Sequence, residues 1–367
     1  MTAPSPDAGP DDCLDVLVVG AGQAGLATAA HLARRGVRFL VVDAAPELGH
    51  AWRTRWDSLR LFTPAEYDGL PDAPFPAAPD HHPTKDQVAE FLERFARERD
   101  LPVLLRCPVT RLERLPDGRF LATTPHGPLR ARSVVVATGP FQVPVVPAVA
   151  EGLAGSVHQL HSSGYRNPSS LPDGPVVVVG AGNSGMQIAL ELAATREVTL
   201  AVGSRPPRLP QRVLGRDLFW WLRRTGVLTG PPDSRLARRM RARGDLVIGT
   251  SFRDLRRAGV TVHPRLTAAE GTVLGFADGS TVRPSTVVWA TGFRRDHSWI
   301  DVPGVVVDGE VHHRRGLTGV AGLAFVGLPW QSCRGSALLG FVQRDAEWVA
   351  ARLAARVPAS RAVLAAP

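Results

Sequence analysis

An α/β chain built from two similar parallel-sheet units, one carried inside the other, is what this sequence predicts, and three observations carry the expectation. The stretch VLVVGAGQAG at residues 16–25 returns almost unchanged as VVVVGAGNSG at 176–185. Each copy passes from an apolar strand through a glycine turn into a helix. A second matched pair, SVVVATG at 133–139 and TVVWATG at 286–292, brackets the second copy.

In the first copy Val16 to Val19 reads as a buried strand, GAGQAG as the turn, and LATAAHLARRG as a helix closed by Gly36. The strand RFLVVD then ends on Asp43. Gly20 permits the tight turn, Gly22 lets a pyrophosphate approach the backbone, and Gly25 lets helix and strand pack closely. Gln23 and Ala24 open the helix, whose free N–H groups face that pyrophosphate. Asp43, 23 positions after Gly20, stands where a ribose hydroxyl is held.

The second copy repeats the glycines as Gly180, Gly182 and Gly185, with Asn183 and Ser184 between them. MQIALELAATR is its helix and VTLAV its next strand, but the ending is GSRPPR. Ser204 and Arg205 therefore stand where an acid would be expected, and a planar guanidinium suits the 2′-phosphate of NADPH. Two cradles with different ribose ends fit hydride transfer onto a resident flavin, with FAD in the first and NADPH in the second. The fold class is thus α/β with two Rossmann-like dinucleotide-binding domains of the FAD/NAD(P)-binding kind, the NADPH domain inserted into the FAD domain.

The expected boundaries are a disordered N-terminus at 1–12, an FAD domain at 13–170 and 289–367, and an NADPH domain at 171–288. After the first unit comes a proline-rich loop, then the helix TKDQVAEFLERFARERD with a capping box from Thr84 and Gln87. Short strands around PVLLR, VTRLERL and RFLATT form a meander beside the sheet. Thr138-Gly139 and Thr291-Gly292 end the paired strands where backbone passes close to a ligand. The chain returns through LAFVG to a final helix from about Ser336, its N-terminus turned to the flavin pyrimidine. QRVLGRDLFWWLRRTGVL resembles an amphipathic lid or interface helix, with core packing favoured over membrane-surface contact.

Composition bounds the rest. With 44% hydrophobic and 21% charged residues the chain is globular. The first dozen residues lack a basic and apolar leader, and no stretch gives the roughly 18 apolar residues of a membrane span, so a cytoplasmic protein without stable membrane insertion is expected. Cys13, Cys107 and Cys333 form neither a C-x-x-C pair nor a metal cluster, so no metal is expected. The net charge of +9 comes from scattered arginines, Lys85 being the single lysine, and no nucleic-acid motif accompanies it.

The two glycine units, the paired ATG segments and HSSGY between them resemble the flavin-containing monooxygenase superfamily, especially its short bacterial CzcO-like branch, over nearly the whole chain. The family's linker signature F-x-G-x-x-x-H-x-x-x-Y is met in part by LAGSVHQLHSSGY, with Leu153 for Phe, Gly155 two residues too far from His161, and Tyr165 in step with His161. Tyr165-Arg166 departs from the Baeyer–Villiger ending. GHAWRTRWDSLRLFTP is similar to the family's G-G-x-W and Y-x-S-L-x-x-N-T, aligning Trp52, Ser58, Leu59 and Thr63, with His50 for the second glycine. Phe62 takes the place of the asparagine that classical members hold against the flavin, and Gln331 in GLPWQSCRGSALLG is its candidate substitute.

The resemblance implies FAD contacts from Trp52, Arg53, Thr63, Val109, Thr138, Gly139 and Gln331 beside the first fingerprint and Asp43. It adds Thr291 and Gly292 to the NADPH set, and gives His161 and Tyr165 the task of tying the linker to the site wall. Candidates near the flavin are Phe62, Thr63 and Gln331, with no acid, base or nucleophile assigned. NADPH would reduce FAD, O2 would form a C4a-hydroperoxyflavin, and one oxygen would pass to a nitrogen or sulfur centre of a small molecule. A homodimer is compatible with the sequence. The alternatives are a flavoprotein reductase serving a partner and a non-enzymatic redox sensor.

Overall fold

The computed structural model describes residues 13–244 and 246–357, so the expected disordered N-terminus lies outside the described residues. Strand β1 (Leu14–Val19) is apolar because both faces are covered, and from Val16 on every residue is buried. It runs through the glycine turn into α1 (Gln23–Ala33), where Ala24, Ala27, Ala29 and Ala30 let the helix lie close on the sheet. Strand β2 (Phe39–Val42) pairs with β1 in parallel, Val19 opposite Val42. Helix α2 (Lys85–Glu98) begins at the expected capping box, with Gln87 N–H donating to Thr84 Oγ1 at 3.2 Å and Thr84 N–H to Gln87 Oε1 at 3.0 Å.

The meander is β3 (Arg111–Arg114), β4 (Phe120–Thr123) and β5 (Leu129–Val136), whereas PVLLR gives Val103–Leu104, which pairs in parallel with β2 rather than joining the meander. The start of β5 pairs antiparallel with β4, and the same strand pairs with β1 in parallel along its other edge. Two cores, one on each face of this sheet, hold α1 and α2 on one side and the meander on the other.

The second unit repeats the first. Its sheet contains β6 (His158–His161), β7 (Val176–Val179), β8 (Val198–Ala201), β9 (Thr261–His263) and β10 (Thr286–Trp289), with α3 (Asn183–Leu192) after the second glycine turn. The order is β9-β8-β7-β10-β6, parallel throughout. Strand β6 lies in this sheet, so the sheet draws on residues before the expected 171–288 insert, and β10 ends one residue past it. Each ATG strand flanks its own fingerprint, β5 beside β1 and β10 beside β7.

Within the insert, α4 (Leu218–Arg224) follows a hairpin of Arg212–Val213 and Arg216–Asp217, and α5 (Arg235–Ala242) comes next. The chain then returns to the first sheet as β11 (Leu323–Phe325), parallel to the end of β5. The last helix, α6 (Gln343–Ala354), starts seven residues later than expected. Ser336 is not a helix opener because its hydroxyl accepts from the N–H groups of Ser332 and Cys333, closing a turn instead.

Candidate functional site

The two glycine turns are congruent. A methyl at Gly20 would lie 2.5 Å from the Ala137 carbonyl oxygen, and one at Gly180 would lie 2.3 Å from that of Ala290. Gly25 and Gly185 are closer still to backbone, 1.8 Å and 1.9 Å from the carbonyl oxygens of Gly20 and Gly180. At the middle glycines, Gly22 and Gly182, nothing stands within 4 Å. Both are helix N-caps without a side-chain cap, so the first-turn N–H groups of α1 and α3 face open space. Each turn is therefore closed by backbone on two sides and open on the third, which is the shape and polarity a pyrophosphate needs.

The positions that follow the second strand of each unit differ. Asp43 follows β2 directly, and its carboxylate accepts from Ala21 N–H at 2.5 Å and Ala45 N–H at 2.8 Å, which fixes it beside the first turn. By ladder register its counterpart after β8 is Val202, buried and apolar, and Ser204 and Arg205 follow exposed. The sequence reading missed Arg208. Its guanidinium lies 3.6 Å over the Phe252 ring, with Nε and one terminal nitrogen buried and without a hydrogen-bond partner. Arg205 lies over the same ring at 5.8 Å. Burial, then Arg205, pulls the Arg208 pKa below its ordinary value. An anion is the group such a pair lacks. Asn183 holds this region to the cradle, donating to Leu246 O and accepting from Ile248 N–H, both at 3.0 Å.

Around the first cradle, Gly327 packs on Ala24, and a methyl there would come 2.9 Å from that side chain. Gly340 packs on the Tyr67-Asp68 backbone, its own added methyl 1.9 Å from Tyr67 O. The segment from 327 to 342 is thus wedged between the first turn of α1 and the loop that carries Phe62 and Thr63. Gln331 belongs to this wedge, buried and tethered by Leu328 N–H at 3.3 Å and Arg315 O at 3.4 Å. Gln142 ties down Thr138 and Gly139 at 2.8 and 2.7 Å. Thr291 donates to Val145 O.

The linker pair separates. His161 reaches Gly292 O at 3.0 Å and Ser163 Oγ at 2.9 Å, joining the linker to the second ATG segment. Tyr165 is fully buried in the core of the second unit and donates to Glu191 at 3.0 Å, away from both turns. Val109 packs against the meander core, and Arg53 is engaged by Glu93 at 2.9 Å and Glu47 at 3.6 Å. Trp52 packs beside the core that holds α1.

Between the units stands an aromatic wall. Phe62 stacks on Phe219 of α4, and Tyr67 packs against Phe219 and Phe341. Polar bonds latch α4 to the Phe62 loop: Gln211 donates to Phe62 O and to Asp217 at 2.8 Å each, and Asp217 lies 3.5 Å from His82. Behind Phe62, Asp68 is wholly buried, accepts a hydrogen bond from the Thr63 hydroxyl at 2.6 Å, and has its other oxygen unpartnered. Burial pushes its carboxyl up to about 7, against the opposing pull of Thr63 and His82. Asp68 was not singled out in the sequence, where an aspartate in a proline-rich loop gives no burial signal.

The described cysteines Cys13, Cys107 and Cys333 are all free and buried, so no thiol pair stands ready to receive electrons. Among the described residues no helix is long and apolar enough to cross a membrane.

Comparison with known proteins agrees with this geometry. The family model described as pyridine nucleotide-disulphide oxidoreductase matches residues 17–211. An uncharacterized CzcO-like oxidoreductase of Geobacillus kaustophilus is 44% identical, over 92% of this chain and 97% of that protein. The uncharacterized oxidoreductase CzcO of Bacillus subtilis is 36% identical over 91% and 97%. Among solved structures, a flavin-containing monooxygenase from Stenotrophomonas maltophilia superposes with a TM-score of 0.79 at 29% identity, covering 94% of this chain and 99% of that one.

Proposed function

We propose, from the premise that this chain belongs to the pyridine nucleotide-disulphide oxidoreductase family and to its CzcO-like branch within the flavin-containing monooxygenases, that it transfers one oxygen atom from O2 to a nitrogen or sulfur centre of a small molecule. It is an oxidoreductase of the flavin-monooxygenase type that uses FAD and NADPH. FAD, when bound, supplies the redox and oxygen chemistry, and NADPH supplies the hydride.

The chain's own residues bind, orient and exclude water. Gly20, Gly22 and Gly25 with the first turn of α1 would hold the FAD pyrophosphate, and Asp43 a ribose. Gly180, Gly182 and Gly185 would do the same for NADPH, with Arg205 and Arg208 facing its 2′-phosphate. Phe62 and Phe219 close the space between the units with apolar surface, which keeps water from a reacting centre. Thr63 and Asp68 hold a proton behind that wall.

The observation that carries the reading is the pair of congruent cradles in one chain without a thiol pair. The test is isotopic. With a thioether or tertiary amine as acceptor and heavy-isotope O2 as the gas, the label should enter the product in step with NADPH consumption. Phe62, standing where the resemblance to classical flavin-containing monooxygenases implies an amide, favours one rival, an electron-transferring reductase. That rival is sustained if all electrons leave as hydrogen peroxide or reduce an added carrier while the acceptor stays unlabelled.

A further inference from the structure

Residues 205–243 hold eleven arginines against two acids, Asp217 and Asp233, and this excess equals the whole chain's net charge of +9. The rest of the molecule is electrically balanced. All of these arginines but Arg208 are exposed, and none forms a salt bridge among the described residues. Elsewhere Arg34, Arg53, Arg111, Arg196 and Arg295 all do. Arginines occur throughout the chain, but the excess of positive charge is concentrated on this one segment and left without carboxylate partners among the described residues.

Apolar side chains stand among these cations. Leu214, at the tip of the hairpin before α4, is 86% exposed and has a φ of 48°, a conformation that leucine disfavours. Leu236 on α5 is 55% exposed and Leu209 is 40% exposed. Trp220 and Trp221 sit edge to face beside the hairpin, Trp221 donating to Val213 O at 2.9 Å and Arg216 lying 5.3 Å over Trp220. Arg212 and Arg216 flank the exposed leucine on either strand.

We infer that this segment is a docking surface for an anionic lipid bilayer, with Leu214 as its apolar tip. A polyanion such as a nucleic acid would neutralise the arginines but leave Leu214 in water. A bilayer takes both, phosphates meeting guanidinium groups while leucine enters the acyl boundary and tryptophan sits at headgroup level. The attachment is peripheral. Because Phe219 on the same segment stacks on Phe62, docking brings the apolar wall of the site toward the lipid.

The test is flotation of FAD-loaded protein with vesicles of phosphatidylcholine alone and of phosphatidylcholine mixed equally with phosphatidylglycerol. Flotation is expected with the mixed vesicles only, and weakened by salt. Leu214→Asn, which tolerates the positive φ, should lower the affinity about tenfold. Replacing Arg235, Arg238 and Arg239 by glutamine should lower it by about fivefold per residue. Flavin content equal to wild type shows that each variant is folded. Flotation with neither vesicle overturns the inference, as does equal flotation with both, or a Leu214→Asn protein that floats like wild type. Binding to duplex DNA that is indifferent to Leu214, with no flotation, would assign the arginines to a nucleic acid instead.

Discussion

The Phe219 ring lies flat over that of Phe62, centroids 5.8 Å apart and planes inclined by 7°. One ring comes from the insert and the other from the loop before α2, so this stack joins the insert to the first unit. Phe219 is the more deeply held, at 1% exposure, and its helix is capped by Asp217 accepting from Phe219 N–H at 2.7 Å.

Phe219→Ala should cost about 3 kcal/mol of stability, the usual result of emptying a buried phenyl site. It should also raise the share of NADPH electrons released as free hydrogen peroxide, because water gains entry between the units. Phe219→Leu should restore most of both. The ratio of peroxide formed to NADPH oxidised is the readout, and an unchanged ratio in the alanine variant removes the wall from the mechanism.

Asp68 makes the stability pH-dependent in a calculable direction. Burial raises its carboxyl from 3.8 to about 7, so the folded chain binds this proton more tightly than the unfolded chain. The stability it contributes is full below the ordinary carboxylate value and is lost as pH rises from there to about 7, a change on the order of 4 kcal/mol. Asp68→Asn keeps the acceptor for Thr63 and cannot ionise. Its thermal unfolding should be flatter across this window and should exceed wild type above neutrality. Parallel pH curves for the two proteins would contradict the burial argument.

The three glycines of each cradle should separate by role. Gly25→Ala and Gly185→Ala place a methyl against backbone and should destabilise the fold. Gly22→Ala and Gly182→Ala meet nothing in the protein, and their φ values of −74° and −76° suit alanine. Gly22→Ala should therefore unfold near the wild-type temperature yet purify with little flavin, whereas Gly182→Ala should stay yellow and bind NADPH at least tenfold more weakly. Flavin absorbance per protein and a thermal melt decide it.

How much of this was legible in the sequence follows from the range of each interaction. Both cradles were readable because strand, turn and helix are local and the first and last glycines of each answer a backbone contact within their own unit. The capping box of Thr84 and Gln87 was readable for the same reason. Partners across the chain were not: Gln211 reaches back to Phe62, Phe219 stacks on it, and Asp68 is buried by Gly340, contacts set by topology. Tyr165 shows the opposite error, since a residue at motif spacing turned out to serve the second core. The late start of α6 had a local cause hidden from pattern reading, because a serine that looks like a helix cap is used by Ser332 and Cys333 for a turn.

Arg208 gives the sharpest test of the NADPH end. A guanidinium stacked on Phe252 with two buried nitrogens unpartnered is costly unless an anion completes it, and no carboxylate pairs with it among the described residues. NADPH offers a 2′-phosphate where NADH offers a hydroxyl. Arg205→Ala and Arg208→Ala should each weaken NADPH by about 2 kcal/mol, roughly thirtyfold, since a charge-assisted hydrogen bond is lost. NADH binding should change by less than about threefold, because only apolar contact with the ring is altered. Titrating both cofactors into the oxidised flavoprotein measures this directly, and equal losses for the two would place the arginines outside the phosphate site.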